Sequence, residues 1–206
     1  EKFQSGQSNP TYLLKARSGR YVLRAKPPGT LLNSAHQVDR EFRVMAALAG
    51  AGLPVPKVLH LAGEASPIGR MFYVMDFVEG RIFWDPALPE ISAKAERAEI
   101  YDSMNATLAA LHNVDIAAAG LGDFGKPGNY FERQIGRWGK QYLASITEPI
   151  AEMDRLIEWL PAHIPASGRD ESQVSIVHGD FRLDNLIFHP TEPRVLAVLD
   201  WELSTL

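Results

Sequence analysis

The sequence predicts an α+β protein of two lobes, because strand-like and helix-like segments are segregated along the chain. Residues 1–78 contain short β-branched runs separated by turns, with one amphipathic segment among them. Residues 79–206 contain three long segments with helical apolar spacing, followed by two apolar runs that end in acidic residues. Segregated strands and helices favour an α+β fold over alternating βαβ units. We therefore expect a small N-terminal lobe at 1–78, a mainly helical C-terminal lobe at 79–206, and a cleft between them.

An antiparallel sheet with one helix is the structure predicted for the N-terminal lobe. Four short runs bounded by turns predict its strands: Thr11–Ala16, Tyr21–Ala25, Val58–Leu61 and Met71–Phe77. The segment His36–Ala49 has apolar residues three and four apart and is followed by Gly50, which predicts an amphipathic helix. Residues 78–80, Val-Glu-Gly, are predicted to form a hinge.

Helices dominate the prediction for the C-terminal lobe. Three segments have helical spacing of apolar residues: Ser92–Val114, Tyr130–Ser145 and Ile150–His163. Two β-branched runs, Val174–Val177 and Val195–Leu199, then predict a pair of adjacent strands. The chain begins near a Gly-containing turn and stops directly after the second acidic motif, so we expect it to be incomplete at both ends.

Composition excludes several classes of protein. The net charge is −4 and no polybasic block is present, so we expect no nucleic-acid partner and no membrane partner. The sequence has no cysteine, which excludes disulfides and thiolate metal sites and permits a reducing compartment. No apolar run approaches the roughly 20 residues that cross a bilayer. We expect a cytoplasmic protein, and the sequence gives no indication of its oligomeric state.

Acidic and amide side chains follow both predicted C-terminal strands. The stretch HGDFRLDN supplies His178, Asp180 and Asn185, and the stretch DWE begins with Asp200. Mg²⁺ prefers the carboxylate and amide oxygens that Asn185 and Asp200 carry. Asp180, five residues before Asn185, can then approach a substrate hydroxyl while His178 braces the loop by hydrogen bonding. The pattern predicts Mg²⁺-dependent phosphoryl transfer, which needs metal ligands and a carboxylate near the attacking hydroxyl.

These motifs resemble those of the aminoglycoside phosphotransferase and choline-kinase-like superfamily, which has a protein-kinase-like fold. The pattern H-x-D-x-x-x-x-N matches at His178, Asp180 and Asn185, and DWE stands where protein kinases have DFG. The resemblance implies ATP as phosphoryl donor and Asp180 as the catalytic base, or as the residue that orients the hydroxyl. It also implies that Asn185 and Asp200 are metal ligands. Glu202 is either a further metal ligand or a hydrogen-bond acceptor that orders the loop, and both alternatives stay open.

The resemblance extends to the N-terminal lobe, and implies that this lobe binds the nucleotide. Arg24 lies where kinases carry the strand lysine that holds the α- and β-phosphates, and Glu41 matches the acid that pairs with it. Arginine can still bind phosphate, with different geometry.

A loop and a hinge complete the cofactor site that the resemblance implies. Residues 5–9 take the place of the nucleotide-covering loop, although a full G-x-G-x-x-G is missing. The cofactor-binding residues implied in that loop are Ser5, Gly6, Ser8 and Asn9. Residues 75–78 take the place of the hinge whose backbone reads adenine, which implies ATP contacts at Met75 and Phe77.

Three phrases, GQSNPTYLL, RAKPPG and YFERQIGRW, are similar to a bacterial subgroup related to kinase-like domains fused to acyl-CoA dehydrogenases. The similarity implies a hydroxyacyl-CoA or hydroxy acid as phosphate acceptor rather than an aminoglycoside. The predicted function is therefore ATP- and Mg²⁺-dependent transfer of the γ-phosphoryl group to a small-molecule hydroxyl. Arg24 and the incomplete Gly loop favour an alternative, a non-catalytic nucleotide-binding pseudokinase module. A metal-dependent phosphate hydrolase is a third hypothesis.

Overall fold

The structure is a computed structural model that describes residues 1–3, 9–29, 37–170 and 173–206. It confirms the predicted α+β class. Residues 1–122 and 176–205 form one compact unit, and residues 123–175 with Leu206 form a second. The predicted lobe boundary after residue 78 stays a prediction. The predicted loop residues Ser5, Gly6 and Ser8 lie outside the described residues.

A four-stranded antiparallel sheet forms the N-terminal part of the first unit. Its strands are β1 (Thr11–Ala16), β2 (Gly19–Ala25), β3 (Val58–Ala62) and β4 (Phe72–Asp76), in the spatial order β1-β2-β4-β3. Each lies within two residues of its predicted bounds. The register places Arg24 of β2 directly opposite Tyr73 of β4. Residues that are paired in this way have side chains on the same face, so the two can share a partner.

Helix α1 (Val38–Gly50) lies between β2 and β3 in the sequence, and its bounds are close to the predicted His36–Ala49. The part of the predicted segment before residue 37 lies outside the described residues. Five side chains of the helix are buried at helical spacing: Val38, Glu41, Val44, Met45 and Leu48. Glu41 is the one charged residue in this group, and a buried charge is costly unless it is paired. The packing of α1 therefore depends on what meets Glu41.

The C-terminal elements of the first unit are helix α2 (Lys94–His112) and a two-stranded antiparallel ribbon, β5 (Leu186–Phe188) and β6 (Val195–Val198). The predicted strand Val174–Val177 is wrong, because only Val177 pairs, through an isolated bridge to Thr205. β6 instead pairs with β5, which directly follows Asn185. The apolar run is buried at Ile176 but does not join a sheet. Its β-branched residues are therefore explained by burial and not by strand pairing.

The second unit contains helices α3 (Tyr130–Ser145) and α4 (Ala151–Trp159). The bounds of α3 match the prediction, whereas α4 ends early and continues as a 3₁₀ turn at Leu160–His163. Pro161 has no backbone N–H with which to continue the α-helical ladder. None of the helices in the described parts of the chain is long and apolar enough to cross a membrane.

Candidate functional site

A cavity of about 580 Å³ lies within the first unit. Its size is in the range of small-molecule sites, roughly 300–1,000 Å³. Six of the residues predicted for the site line it: Arg24, Met75, Phe77, Asp180, Asn185 and Asp200. Side chains from both ends of the sequence thus face the same space.

His178 braces the loop that carries Asp180. The residue is 1% exposed, its Nε2 lies 2.8 Å from the carbonyl oxygen of Leu199, and its Nδ1 accepts from the Asp180 N–H at 3.2 Å. Both bonds are satisfied by a neutral imidazole that carries its proton on Nε2. Burial lowers the pKa of His178, which favours that neutral form. His178 is not among the residues lining the cavity, so its contacts fit the predicted bracing role.

Asn185 fixes the position of the Asp180 side chain. It closes a 3₁₀ turn at Leu183–Asn185, and its Nδ2 donates to the Asp180 carbonyl oxygen at 2.9 Å and to Oδ2 at 3.0 Å. Because both amide hydrogens face Asp180, Oδ1 is the atom through which Asn185 can bind a cation. The loop at residues 180–185 therefore holds the Asp180 carboxylate and the Asn185 amide oxygen close together.

Asp200 has a left-handed backbone, with φ 64° and ψ 61°. It lies between β6 and a 3₁₀ turn at Trp201–Leu203. Trp201 is 1% exposed, and its indole donates from Nε1 to the Val198 carbonyl oxygen at 3.0 Å, which anchors this turn. Asp tolerates the left-handed region better than most residues. The local fold thus directs the Asp200 carboxylate to the cavity wall.

Arg24 joins the sheet, helix α1 and the Asp200 turn. It is 9% exposed; its Nε lies 3.0 Å from Glu41 Oε2, and its Nη2 lies 2.6 Å from Asp200 Oδ1 and 3.4 Å from Glu202 Oε2. Burial by itself would lower the pKa of Arg24, but the neighbouring carboxylates, Glu41 foremost, raise it above its ordinary value. The structure therefore brings together the Arg24–Glu41 pair that the resemblance implied.

The Glu41 carboxylate accepts hydrogen bonds from two neutral donors in addition to its ion pair with Arg24. The Tyr73 hydroxyl donates to Oε2 at 3.1 Å, and the Asn9 amide donates to Oε1 at 2.9 Å. Burial raises the pKa of Glu41 to about 7, and the attraction of Arg24 opposes this rise. Burial and the adjacent Glu41 also raise the pKa of Tyr73, so its hydroxyl keeps its proton as a donor.

Asn9 and Glu202 lie behind the cavity wall. Asn9 is 1% exposed, and its Nδ2 lies 3.5 Å from Glu202 Oε2 in addition to its bond with Glu41. Neither residue is among those lining the cavity. Nucleotide binding by Asn9 stays a prediction. The contacts of Glu202 are those of the hydrogen-bond acceptor alternative, and metal binding by Glu202 also stays a prediction.

The sequence prediction overlooked three residues of this region: Tyr73, Gly179 and Arg182. Gly179 has φ 89°, and a Cβ atom there would lie 2.6 Å from the Leu203 carbonyl oxygen. The glycine thus lets the Asp180 loop pack against the turn that follows Asp200. Arg182 lines the cavity and forms a two-pronged ion pair with Asp184. Gly179 and Arg182 could have been found from their position inside the HGDFRLDN motif. No sequence pattern indicated Tyr73.

The oxygen donors on the cavity wall fit Mg²⁺. Asn185 offers an amide oxygen and Asp200 a carboxylate, and Mg²⁺ is commonly held by one or two carboxylates with water and substrate phosphates. Among the described residues, no group of three or more His, Cys, Asp or Glu side chains forms a closed metal site. A cation bound here would therefore take phosphate or water oxygens as further ligands.

Comparison with known proteins gives similarity along the whole chain. Residues 1–206 match the family described as the phosphotransferase enzyme family. The chain is 53% identical over 205 residues to acyl-CoA dehydrogenase family member 10 of Mus musculus, an alignment that covers 100% of this chain and 19% of the mouse protein. The chain therefore spans about a fifth of the length of this curated relative.

Two solved structures illustrate the likeness of fold. A putative aminoglycoside phosphotransferase from Ralstonia eutropha JMP134 is 57% identical, with a TM-score of 0.87, and the match covers 100% of this chain and 59% of that chain. A ternary complex of a thermostable mutant of aminoglycoside phosphotransferase APH(4)-Ia with AMP-PNP and hygromycin B is 18% identical, with a TM-score of 0.65. That match covers 99% of this chain and 66% of the other, and at this identity it shows the fold alone.

Proposed function

Because the chain belongs to the phosphotransferase enzyme family, we propose that it is an ATP- and Mg²⁺-dependent kinase that phosphorylates a hydroxyl group of a small molecule. The observation that carries the proposal is that Asp180, Asn185 and Asp200 line one cavity. A carboxylate for the acceptor and oxygen ligands for a metal are the groups that phosphoryl transfer requires. The ATP analogue bound in a protein of the same fold supports ATP as the donor.

In the proposed reaction Asp180 orients the acceptor hydroxyl and accepts its proton. The hydroxyl oxygen forms a bond to the γ-phosphorus, the bond from that phosphorus to the β,γ-bridging oxygen breaks, and ADP leaves. Asn185 and His178 hold Asp180 in place through the bonds at 3.0 Å and 3.2 Å. A base fixed in this way loses little freedom when the acceptor binds.

The nucleotide is proposed to lie along the sheet side of the cavity. Arg24, oriented by Glu41, contacts the α- and β-phosphates through Nη1, because its Nε and Nη2 already bond to carboxylates. Residues 75–78 contact adenine, and within them the Phe77 N–H is already used in a bond to the Arg20 carbonyl oxygen at 3.3 Å. Mg²⁺, when held by Asn185 and Asp200, would neutralise negative charge on the phosphate oxygens.

The proposed acceptor is a hydroxyacyl-CoA or a hydroxy acid. Support comes from the 53% identity to part of a protein named as an acyl-CoA dehydrogenase family member. A phosphotransferase segment within such a protein is most simply explained if both act on acyl chains. This makes hydroxylated acyl thioesters the first acceptors to test, ahead of aminoglycosides.

A transfer assay tests the proposal directly. The purified chain is incubated with Mg·ATP and a panel of hydroxyacyl-CoA thioesters, hydroxy acids, aminoglycosides and choline, and ADP and phosphorylated products are measured by mass spectrometry. The variant Asp180→Asn should lower turnover by about 10²- to 10⁴-fold, the usual contribution of a positioned base. Asp102→Asn, an exposed carboxylate of α2 outside the cavity wall, is the control and should match the wild type. Equal turnover by Asp180→Asn would overturn the role of Asp180.

One observation favours the pseudokinase alternative. Arg24 bonds to Asp200 Oδ1 at 2.6 Å, so a metal ion has to compete with a guanidinium for this carboxylate. A pseudokinase would be stabilised against heating by nucleotide, yet would phosphorylate no acceptor in the panel. The kinase proposal requires both nucleotide binding and Asp180-dependent product.

A further inference from the structure

One large aromatic side chain is both exposed and part of the cavity wall. Trp84 is 64% exposed, the highest value among the large apolar residues in the described parts of the chain. It is also the one member of that exposed group that lines the cavity. An indole has a large apolar surface, and contact with a ligand would remove that surface from water.

The backbone is held on both sides of Trp84. Before it, Arg81 and Phe188 exchange two backbone hydrogen bonds of 2.8 Å. After it, Asp85 Oδ1 accepts from the Ala87 N–H at 2.8 Å, which closes a turn. The exposure of the indole is therefore not the result of a loosely held loop, and the cavity wall presents it to whatever binds there.

The direction of the chain brings Trp84 to the end of the cavity that holds Asp180. Because the bridge between Arg81 and Phe188 is antiparallel, residues 82–84 run back alongside residues 187–185. Side chains of an extended segment alternate between its two faces. The alternate residues that line the cavity are Ile82 and Trp84 on one segment and Ile187 and Asn185 on the other. Counted from the bridge, Trp84 is thus level with Asn185, whose amide holds Asp180.

We propose that Trp84 binds the acyl chain of the acceptor and thereby favours acceptors with a long chain. This inference rests on the proposed function, in which Asp180 orients the acceptor hydroxyl. A chain whose hydroxyl meets Asp180 passes the indole at the same end of the cavity. The indole and the neighbouring Ile82 offer apolar surface that matches methylene groups.

An acyl chain also fits the charges here better than a cationic acceptor does. On the cavity wall, Glu79 and Asp184 are the acids closest in sequence to Trp84 and Asn185. Both are already paired with arginines, Glu79 with Arg20 at 2.6 Å and Asp184 with Arg182. Their charges are thus balanced within the protein, which suits an uncharged chain more than an amine.

Titration calorimetry with unreactive probes tests the inference without turnover. The probes are butanoyl-, hexanoyl-, octanoyl- and decanoyl-CoA, which carry no acyl hydroxyl, added to the purified chain saturated with Mg·ADP. Wild-type affinity should rise with length, by up to about fourfold for each methylene group that contacts the indole. Trp84→Ala should bind decanoyl-CoA about tenfold more weakly and butanoyl-CoA almost as well as wild type. Trp84→Phe should keep part of the dependence on length, because it retains an aromatic ring.

Trp138 provides a matched control, since it is an exposed tryptophan of α3 that is not among the residues lining the cavity. Trp138→Ala should keep the wild-type dependence on length, and Kd for Mg·ADP should be the same in every variant. The inference is overturned if Trp84→Ala keeps that dependence or weakens all four probes equally. A lower affinity of Trp84→Ala for Mg·ADP would overturn it too, because the indole would then contact the nucleotide.

The transfer assay separates this inference from the proposed function. If Trp84→Ala lowers turnover of choline or an aminoglycoside but not of hydroxyacyl-CoA thioesters, the indole binds cationic acceptors and the inference is wrong. A wild type that binds none of the four probes also overturns it. The proposed function itself fails only if no acceptor in the panel is phosphorylated in a reaction that depends on Asp180.

Discussion

Arg24 on strand β2 and Asp200 after strand β6 form an ion pair of 2.6 Å although 176 positions of sequence separate them. The same guanidinium lies 3.0 Å from Glu41 on helix α1. The acids of two separate elements, helix α1 and the turn after β6, are thus paired with a single side chain. Each of these two elements therefore depends on Arg24 for the compensation of its acid.

Replacing Arg24 by Ala is expected to lower the free energy of unfolding by about 3 kcal/mol, because it leaves a buried carboxylate without its cation. Arg20→Ala is the control, since Arg20 is on the same strand and pairs at 2.6 Å with Glu79 where both side chains are exposed. That change should cost about 0.2–1 kcal/mol. Urea denaturation measures both. Equal losses of unfolding free energy in the two variants would show that the buried ion pairs of Arg24 contribute no more stability than an exposed pair.

Replacing Gly179 by Ala is expected to destabilise the protein by about 1–3 kcal/mol, because the new Cβ meets backbone and the left-handed φ is unfavourable. The new Cβ atom would lie 2.6 Å from the Leu203 carbonyl oxygen. Gly50→Ala serves as the comparison, since nothing lies within 4 Å of a Cβ at the end of α1. Thermal unfolding should show a lower Tm for Gly179→Ala alone. A Tm unchanged from wild type would refute the close packing of the two motifs.

Acidification is expected to destabilise the fold through His178. Burial lowers the pKa of this ring below its ordinary value of 6.5, so the unfolded chain takes up a proton that the folded protein resists. The stability that His178 contributes is therefore present above pH 6.5 and is lost as pH falls through the folded-state pKa. Glu41 has the opposite dependence, because its pKa is raised from 4.5 to about 7 and its contribution is lost as pH rises through that interval.

The variant His178→Gln separates these two effects, because Glu41 is unchanged in it. It should be less stable than wild type at pH 7.5 but should lose less stability between pH 7.5 and 5.5. Chemical denaturation across this range measures the difference. Parallel pH profiles for the two proteins would contradict the assignment to His178.

Asp200→Asn is expected to remove most of the dependence of AMP-PNP binding on Mg²⁺, because an amide is a poorer ligand than a carboxylate. Asparagine also tolerates the left-handed backbone at this position, so the fold should survive. The measurement is Kd for AMP-PNP with Mg²⁺ and with EDTA. Leu203→Ala, an exposed residue of the same turn, is the control. If Asp200→Asn and wild type respond equally to Mg²⁺, Asp200 does not hold the metal.

Local periodicity predicted most of the elements, and its failures have identifiable causes. Thr11–Ala16 and Tyr130–Ser145 were predicted with their observed bounds, because clear turns or helical spacing define them. The strand Leu186–Phe188 was missed because three apolar residues after Asn185 are too few to show alternation. Val174–Val177 was mistaken for a strand because a buried β-branched loop has the same composition as a strand.

The site was predicted where its residues are close in sequence. The five-residue spacing of Asp180 and Asn185 led to an expected loop, and their side chains bond at 3.0 Å. The bonds from Tyr73 and Asn9 to Glu41 were not predicted, because they depend on strand register and on helix packing. The sequence shows which residues carry a hydroxyl or an amide, but the fold decides which group each of them bonds to.

The left-handed backbone at Asp200 restricts which residues can occupy this position in evolution. Glycine and asparagine accept φ 64° but carry no negative charge, while glutamate carries the charge on a residue that rarely adopts this backbone. Selection for folding alone would therefore accept Gly, Asn and Asp, whereas selection for a charged metal ligand would accept Asp and Glu. Aspartate is the residue common to both sets, so the left-handed backbone and the proposed metal role together account for an aspartate at this position.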